Sequence, residues 1–154
     1  MAIEISEIHE VTDGLTEAFN RLLPQLSPSR ALLNQEALLQ IATSPGCTLF
    51  IASETKAGDT QIVGTLSLII SPQLSGVRAR IEDLVVDKAW RGRGVGEALL
   101  RKALNLATAR QVNTIDLTCR PSRESANHLY RRMGFIRRDT NVYCYDLDNP
   151  RRTP

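Results

Sequence analysis

The sequence predicts a single α/β domain in which helices flank a mixed β-sheet. Stretches that alternate apolar and polar residues, which is typical of strands, are interleaved with stretches of helical spacing. The two kinds of stretch follow one another in the order β-α-α-β-β-β-α-β-α-β, without an internal repeat or a linker. A length of 154 residues, with 42% apolar and 23% charged residues, suits one globular domain with a substantial core.

The first half of the chain predicts a strand, two helices and a hairpin. Residues 3–8 alternate as a half-buried strand does, and an apolar stripe at helical spacing follows over residues 15–23. Ser29 is a candidate N-cap for a second helix that runs through Ile41. The strand-like stretches "CTLFIAS" and "QIVGTLSLII" are joined by the polar turn "ETKAGDT", which indicates a hairpin.

The second half predicts three strands and two helices. "ARIEDLVVD" is a strand that leads through a glycine-rich turn into an amphipathic helix starting near Gly94, and "NTIDLTC" is the next strand. A last helix begins near Pro121 and ends before Gly134. "NVYCYDL" is the final predicted strand. We expect residues 1–149 to form the domain and residues 150–154 to be a frayed tail.

Charge, cysteines and histidines exclude several classes of protein. The 19 basic and 17 acidic residues are spread evenly, which does not suit a protein whose main partner is nucleic acid. Three widely spaced cysteines favour a reducing cytosol, and no apolar run is long enough to span a bilayer. His9 and His128 have no other ligand at metal spacing. We therefore expect a cytoplasmic protein without a metal, a membrane or a nucleic acid as partner.

The segment "RGRGVGEALL", residues 91–100, has the features of an anion-binding turn. Glycines permit positive φ and let a phosphate approach the unpaired amides at the start of a helix, where the helix dipole also attracts anions. No P-loop motif is present, and the third glycine of a dinucleotide-binding fingerprint would fall on Glu97. The turn is therefore predicted to bind a pyrophosphate, although it matches neither of these two motifs.

Two motifs in this order resemble those of the GCN5-related N-acetyltransferase (GNAT) superfamily. The spacing Arg91-x-x-Gly94-x-Gly96 matches the Arg/Gln-x-x-Gly-x-Gly/Ala signature that follows the fourth strand in that family. "ESANHLYRRMGF" is similar to the later family helix that carries an asparagine and a tyrosine, here Asn127 and Tyr130, although the tyrosine comes only three positions after the asparagine. The resemblance extends over residues 81–135 and implies a sheet whose fourth and fifth strands splay apart.

The resemblance also implies acetyl-CoA as the acetyl donor. Its pyrophosphate is expected on the turn amides, and its pantetheine arm is expected beside the fourth strand, as an added strand would lie. The residues that the resemblance assigns to cofactor binding are Leu84, Val85, Val86, Arg91, Gly92, Arg93, Gly94, Val95, Gly96, Glu97, Asn127 and Tyr130.

Catalysis by direct attack of an amine needs a route for removing a proton, and Glu82 and Asp83 are the candidates. Strand alternation places them on opposite faces unless a bulge intervenes, with Glu82 on the face of Leu84 and Val86. Glu82 is favoured because similar family members carry an acid in this part of the strand, although a salt bridge to Arg80 would equally explain it. The resemblance implies that Tyr130 supplies a proton to the leaving thiolate.

The acceptor is expected to be a small-molecule or peptide amine. "IEDLVVD" is similar to the strand of the family branch that acetylates amino-sugar phosphates, but a protein N-terminus, a lysine, a polyamine or an aminoglycoside would also suit an acidic cleft. A non-catalytic acyl-CoA-binding module and a nucleotide-binding protein are the alternative functions. The aromatic residues of "NVYCYDL" permit a homodimer.

Overall fold

The computed structural model describes residues 2–28 and 31–149, and the chain divides into two compact units, Met1–Thr118 and Cys119–Pro154. The first unit contains a five-stranded mixed sheet in the order β1-β2-β3-β4-β5, antiparallel except for the parallel pair β4–β5. Its elements are β1 (Ile3–Glu7), α1 (Asp13–Leu22), α2 (Gln35–Ala42), β2 (Cys47–Lys56), β3 (Asp59–Gln73), β4 (Gly76–Val86), α3 (Val95–Ala109) and β5 (Thr114–Asp116). The second unit contains α4 (Glu124–Arg132). The predicted α/β class with a mixed sheet is confirmed.

The second helix begins later than predicted. Ser29, the expected N-cap, lies outside the described residues, and α2 starts at Gln35 with Asn34 as its cap. The Asn34 side chain accepts a hydrogen bond from the Ala37 amide at 2.8 Å. Ahead of this cap, Leu33 exchanges two hydrogen bonds of 2.8 Å with the side chain of Asn20 in α1. The segment before α2 is therefore held to α1 and cannot continue the helix toward its N-terminus.

The predicted hairpin of β2 and β3 is confirmed. Lys56 pairs with Asp59, so the loop has only two residues, Ala57 and Gly58, and both have positive φ, 51° and 85°. This is the backbone geometry that a two-residue hairpin requires. The strands are longer than predicted because the polar residues beside the loop continue the hydrogen-bonded ladder.

The sheet has helices on both faces. Leu49 of β2 belongs to a core cluster with Leu15 and Phe19 of α1 and Leu38 of α2. On the opposite face, α3 lies so close to β3 that a Cβ at Gly64 would stand 3.2 Å from Leu99 Cδ1. A glycine at this position therefore allows α3 to approach the middle of the sheet.

The final predicted strand is wrong. Gly134 follows α4 with φ 97°, as expected for a residue just past a helix end, but residues 141–147 form no strand. Tyr143 is 89% exposed and Leu147 is 85% exposed, so the alternation in this segment does not bury a face. "NTIDLTC" is also shorter than predicted, with strand pairing limited to Thr114–Asp116. The expected tail, residues 150–154, lies outside the described residues.

Leu99→Ala tests the packing of α3. Leu99 is fully buried, so its truncation should lower the free energy of unfolding by about 2–5 kcal/mol. Leu74→Ala is the matched control, because Leu74 is fully exposed and the same truncation there should change that free energy by less than about 0.5 kcal/mol. Urea denaturation measures both, and equal effects would contradict the packing described for α3.

Candidate active site

A β-bulge interrupts β4 at the two candidate acids. Glu82 pairs with Ser67 and Val85 pairs with Thr65, so Asp83 and Leu84 together stand opposite the single residue between those partners. Asp83 has φ 51°, in the left-handed region. Residues directly opposite one another share a face, and Ser67 and Thr65 lie on the same face of β3. Val85 therefore shares the face of Glu82, and the predicted alternation beyond Glu82 is wrong because of the extra residue.

Glu82 lies on the face of the sheet that α1 and α2 cover. Glu82 pairs with Ser67 of β3, which in turn pairs with Leu49 of β2, so the three side chains share a face. Leu49 belongs to the apolar cluster beneath those two helices. Oε1 of Glu82 accepts a hydrogen bond of 3.0 Å from Nε of Arg80. Both side chains are partly exposed, so this ion pair contributes little to stability, and its main effect is to orient the carboxylate.

Asp83 is close enough to Cys47 to affect it electrostatically. Burial, and to a lesser extent the negative charge of Asp83, raise the pKa of the Cys47 thiol. Cys47 packs against the apolar cluster beneath α1 and α2.

The predicted splay between β4 and β5 is confirmed. Only Arg78, Ala79 and Arg80 pair with β5. Within residues 2–28 and 31–149, no strand pairs with residues 81–86 on that side of β4. This stretch includes Leu84, Val85 and Val86, the residues expected to meet an extended cofactor arm. An unpaired strand edge of this kind can bind a chain that carries amide groups.

The glycine-rich turn has open space above its backbone. Gly92 and Gly94 have φ 75° and 80°, and a Cβ placed on either would meet no atom within 4 Å. Glycine is therefore required by the backbone conformation and not by packing within the protein. Gly94 is the N-cap of α3 and provides no side-chain cap, so the positive end of the helix dipole faces this open space.

The Glu97 side chain is directed along α3. Its Oε1 accepts a hydrogen bond of 2.7 Å from Nη2 of Arg101, one helical turn further on. The ion pair offsets a negative charge in the first turn, where that charge would otherwise repel a bound phosphate. Of the predicted turn residues, Val95 is buried, and its side chain packs beside β3 instead of facing the turn.

A short 3₁₀ turn, Lys88–Trp90, connects β4 to the glycines and is fixed from both sides. Asp87 is buried, caps this turn by accepting a 3.1 Å hydrogen bond from the Ala89 amide, and forms an ion pair with Arg21 of α1. Gln25 accepts a 2.9 Å hydrogen bond from the Lys88 amide.

Sequence analysis did not find these anchoring residues. An aspartate at the end of a strand and ahead of a short helical turn was a usable cap signal. Nothing local indicates Arg21 or Gln25, which lie more than sixty residues away in the chain.

Arg91 closes the junction between β4 and the turn. Its Nε donates a 3.0 Å hydrogen bond to the carbonyl oxygen of Val86, the last residue of β4. The guanidinium is therefore held at the mouth of the turn, where it adds positive charge to that of the helix end. The structure thus brings together, within the first unit, the two candidate acids, the strand edge and the turn.

Tyr130 and Asn127 belong to the second unit. Burial, and secondarily the nearby Cys119, raise the pKa of the Tyr130 phenol to about 12, with Arg123 acting in the opposite direction. The Tyr130 ring meets that of Phe135 edge to face, with centroids 5.8 Å apart. The phenol therefore keeps its proton at every physiological pH and is able to donate a hydrogen bond.

Asn127 holds the chain that precedes α4. Its Nδ2 donates hydrogen bonds of 2.9 Å to the carbonyl oxygens of Arg120 and Arg123. These two contacts use both hydrogens of the Asn127 side-chain amide. A ligand would therefore interact with the amide oxygen, as the donor of a hydrogen bond to it. An open pocket of about 470 Å³ lies along α4, and Asn127, His128, Arg131 and Arg137 are among its lining residues.

The described part of the chain contains neither a metal-binding cluster nor a membrane-spanning helix. No group of three or more histidine, cysteine, aspartate or glutamate side chains there could hold a metal ion. Nε2 of His9 lies 3.9 Å from Oε2 of Glu7. None of the described helices combines the length and the apolar character needed to cross a membrane.

Comparison with known proteins gives a consistent family. The model of the "Acetyltransferase (GNAT) family" matches residues 9–135. Glucosamine 6-phosphate N-acetyltransferase 1 of Oryza sativa subsp. japonica is 25% identical over 136 residues, which cover 85% of this chain and 81% of the relative. The fold is similar to that of glucosamine-6-phosphate N-acetyltransferase from Arabidopsis thaliana, with a TM-score of 0.78 and 20% sequence identity. The similarity covers 94% of this chain and 99% of that one.

A second similar structure is that of AAC(6')-Iy in complex with the bisubstrate analog CoA-S-monomethyl-acetylneamine. Its TM-score is 0.74 and its sequence identity 17%, over 95% of this chain and 99% of that one. The family match spans both sequence motifs, and the glycine turn and the splayed strands have the positions that those motifs predict. The chain therefore belongs to the GNAT family of acetyltransferases.

Proposed function

We propose that the protein is an acetyl-CoA-dependent N-acetyltransferase that acetylates a primary amine by direct attack in a ternary complex. The observation that carries the proposal is the turn at Gly92 and Gly94. It combines left-handed glycines, open space and the uncapped start of α3, and it directly follows a strand with an unpaired edge. These features fit a ligand with a pyrophosphate at one end and an extended amide-bearing arm at the other.

The residues of the first unit would hold the cofactor by its pyrophosphate and by its extended, amide-bearing arm. Amides from Gly92 to Glu97 would bind the pyrophosphate, with Val95 and Gly96 contributing through the main chain and Arg91 and Arg93 adding charge. Leu84, Val85 and Val86 would offer main-chain groups of the β4 edge to the arm. When bound, acetyl-CoA supplies an acetyl group activated as a thioester.

Glu82 is the proposed group that takes a proton from the acceptor amine, directly or through water. An ammonium group cannot attack, because its lone pair is occupied by a proton, so removal of that proton must precede or accompany attack. The Arg80 contact orients one carboxylate oxygen of Glu82. Asp83 is the second candidate, since it directly follows Glu82 within the bulge of β4. The amide of Leu84, within the bulge, is proposed to polarise the thioester carbonyl.

Tyr130 is proposed to stabilise the leaving thiolate. A phenol whose pKa is about 12 holds its proton firmly, so it stabilises the sulfur mainly by donating a hydrogen bond. Full transfer of the proton would become favourable only if a bound ligand lowered that pKa. Asn127 is proposed to contribute by fixing the chain before α4 and by offering its amide oxygen to the cofactor.

An amino-sugar phosphate is the first acceptor to test. The named activity of the Oryza sativa relative supports this class, and several arginines of the second unit carry the charge that a sugar phosphate needs, Arg137 and Arg131 among them. Aminoglycosides and peptide amines are the next acceptors to test, because the proposed chemistry requires only the attacking amine that all three classes share. Cytoplasmic location and a homodimer stay predictions.

Acetyl-CoA should stabilise the protein against thermal unfolding. A ligand present at one hundred times its dissociation constant adds about 2.7 kcal/mol to the free energy of unfolding. Free CoA should act similarly, whereas NADH and ATP should have little effect. Stabilisation by NADH or ATP alone would identify a nucleotide-binding protein and contradict the proposal.

Gly94→Ala should weaken this acetyl-CoA effect at least tenfold in dissociation constant, because a Cβ would enter the space that the pyrophosphate needs. Gly58→Ala is a matched control: Gly58 also has a left-handed φ, 85°, and an equally open Cβ position, but it lies in the β2–β3 hairpin. Both variants should lose similar intrinsic stability, and only Gly94→Ala should lose binding. Equal acetyl-CoA affinity in the two variants would remove the turn from the cofactor site.

Thiol release from acetyl-CoA should require an amine and one of the two acids of β4. With glucosamine 6-phosphate, an aminoglycoside and a lysine peptide as acceptors, Glu82→Gln should lower kcat about 100-fold, and Asp83→Asn should lower it less. Neither substitution should alter acetyl-CoA affinity, which the thermal assay checks. The reverse order of the two effects would reassign the base to Asp83. Binding without turnover on any amine would indicate a non-catalytic acyl-CoA-binding module.

Tyr130→Phe should lower kcat about 10- to 100-fold and leave acetyl-CoA affinity unchanged, because it removes only the hydroxyl that meets the thiolate. Since the phenol ionises only near pH 12, the ratio of wild-type to variant kcat should stay constant between about pH 6 and pH 10. A ratio that falls toward 1 as the pH rises through 8 or 9 would show that the Tyr130 pKa is lower in the working enzyme. Equal turnover of the two proteins would remove Tyr130 from the mechanism.

A further inference from the structure

A buried carboxylate fixes the tryptophan that directly precedes the glycine turn. Trp90 is the last residue of the 3₁₀ turn, and its indole Nε1 donates a 2.8 Å hydrogen bond to Oε2 of Glu54. Glu54 lies on β2 and is only 8% exposed. A buried carboxylate is costly unless a donor compensates for the lost water. The bond to Trp90 therefore compensates Oε2 of Glu54 for lost water and, at the same time, sets the orientation of the indole ring.

Glu54 is placed on the side of the sheet that α3 covers. Glu54 shares one face of β2 with Phe50 and Ala52, which are fully buried. This face is opposite to that of Leu49. From this position the carboxylate reaches Trp90 across 36 residues of sequence. An ordinary strand glutamate would point to solvent, so burial of this one needs an explanation beyond its own strand.

The indole in turn supports Arg93. The guanidinium carbon of Arg93 stands over the Trp90 ring, 6.0 Å from its centroid, which is within the range of a cation–π contact. Arg93 stands between Gly92 and Gly94, and its own side chain is exposed. Without a supporting surface, such a side chain would lose rotamer entropy on binding an anion. Contact with the ring favours one position of the guanidinium before any ligand arrives.

We propose that Glu54 is a positioning residue for acyl-CoA binding, which acts by holding the Trp90 indole under Arg93 so that Arg93 is preorganised to meet a cofactor phosphate. The inference rests on the proposed function. Glu54 does not touch the ligand, and its negative charge alone would disfavour a phosphate. Its effect on affinity is therefore carried entirely by Trp90 and Arg93.

The chain provides its own reporter for this contact. Trp90 is the only tryptophan in the sequence, so the intrinsic fluorescence of the protein reports the surroundings of this indole alone. In Glu54→Leu, the emission of Trp90 should change without any ligand, and the acetyl-CoA dissociation constant should rise about 3- to 10-fold. Turnover at saturating acetyl-CoA should remain that of the wild type, because no reacting group is altered. Glu54→Gln keeps an acceptor oxygen and should bind acetyl-CoA within about 2-fold of the wild type.

A double-mutant cycle separates positioning from general structural damage. If Glu54 acts through Arg93, Glu54→Leu should cause no further loss of affinity in an Arg93→Ala background. Arg110→Ala is the charge-matched control at the other end of α3, about 22 Å away along a helix of 15 residues, and should leave the affinity unchanged. Trp90→Phe provides a second route if Glu54→Leu does not fold, because it removes the N–H donor and retains a ring.

The outcomes distinguish this inference from the proposed function. If the wild type binds acetyl-CoA and folded Glu54→Leu binds it equally well, only the role of Glu54 is overturned. Additive losses in the double variant would likewise overturn it, because they would place Glu54 outside the path to Arg93. If the wild type does not bind acetyl-CoA at all, the proposed function and this inference both fail.

Discussion

The extra residue in β4 opposite Leu66 is the constraint on which the candidate site depends. A bulge bends and twists the strand that carries it, and this one lies within the part of β4 that β5 does not pair with. The bulge also exchanges the faces of the residues beyond Glu82. The unpaired edge of β4 and the change of face therefore occur in the same stretch of the strand, at Asp83 and Leu84.

The end of β4 is stabilised by contacts that come from distant parts of the chain. Arg21 and Gln25, on the α1 side of the sheet, hold Asp87 and the Lys88 amide, while Glu54, on the α3 side, holds Trp90. The short 3₁₀ turn is therefore fixed from both faces of the sheet. This matters for binding because the turn amides can bind a pyrophosphate without further ordering only if the backbone that leads to them is already rigid.

The proposed chemistry divides between groups with different environments. Glu82 is partly exposed and oriented by Arg80, which suits a group that exchanges protons with a solvated amine. Tyr130 is largely removed from water and keeps its proton to about pH 12, which suits a hydrogen-bond donor toward a thiolate. A phenol that keeps its proton can assist only the leaving group, so the proposed chemistry assigns removal of the amine proton to a different residue.

Several features were readable from the sequence because they depend on local backbone geometry. Gly92, Gly94 and Gly134 occupy left-handed positions that few other residues tolerate, so the turn, the start of α3 and the end of α4 could be located from the residue types. The β2–β3 hairpin has the same origin in Gly58. Apolar periodicity was sufficient to place β1, α1 and α3, since each buries one face against the sheet.

Pairing between distant residues was decided only by the tertiary structure. The sequence contains both acids of β4, but whether they alternate depends on register against β3, and a single extra residue changes it. "NVYCYDL" has the alternation of a strand yet forms none, because alternation does not supply a neighbouring strand to pair with. Glu54 and Arg21 carry no motif, since each owes its position to a partner far away in the chain. The sequence by itself determined the family, most of the elements and the position of the glycine turn, whereas the fold decided which side chains face that turn, because side-chain direction follows from long-range packing and register.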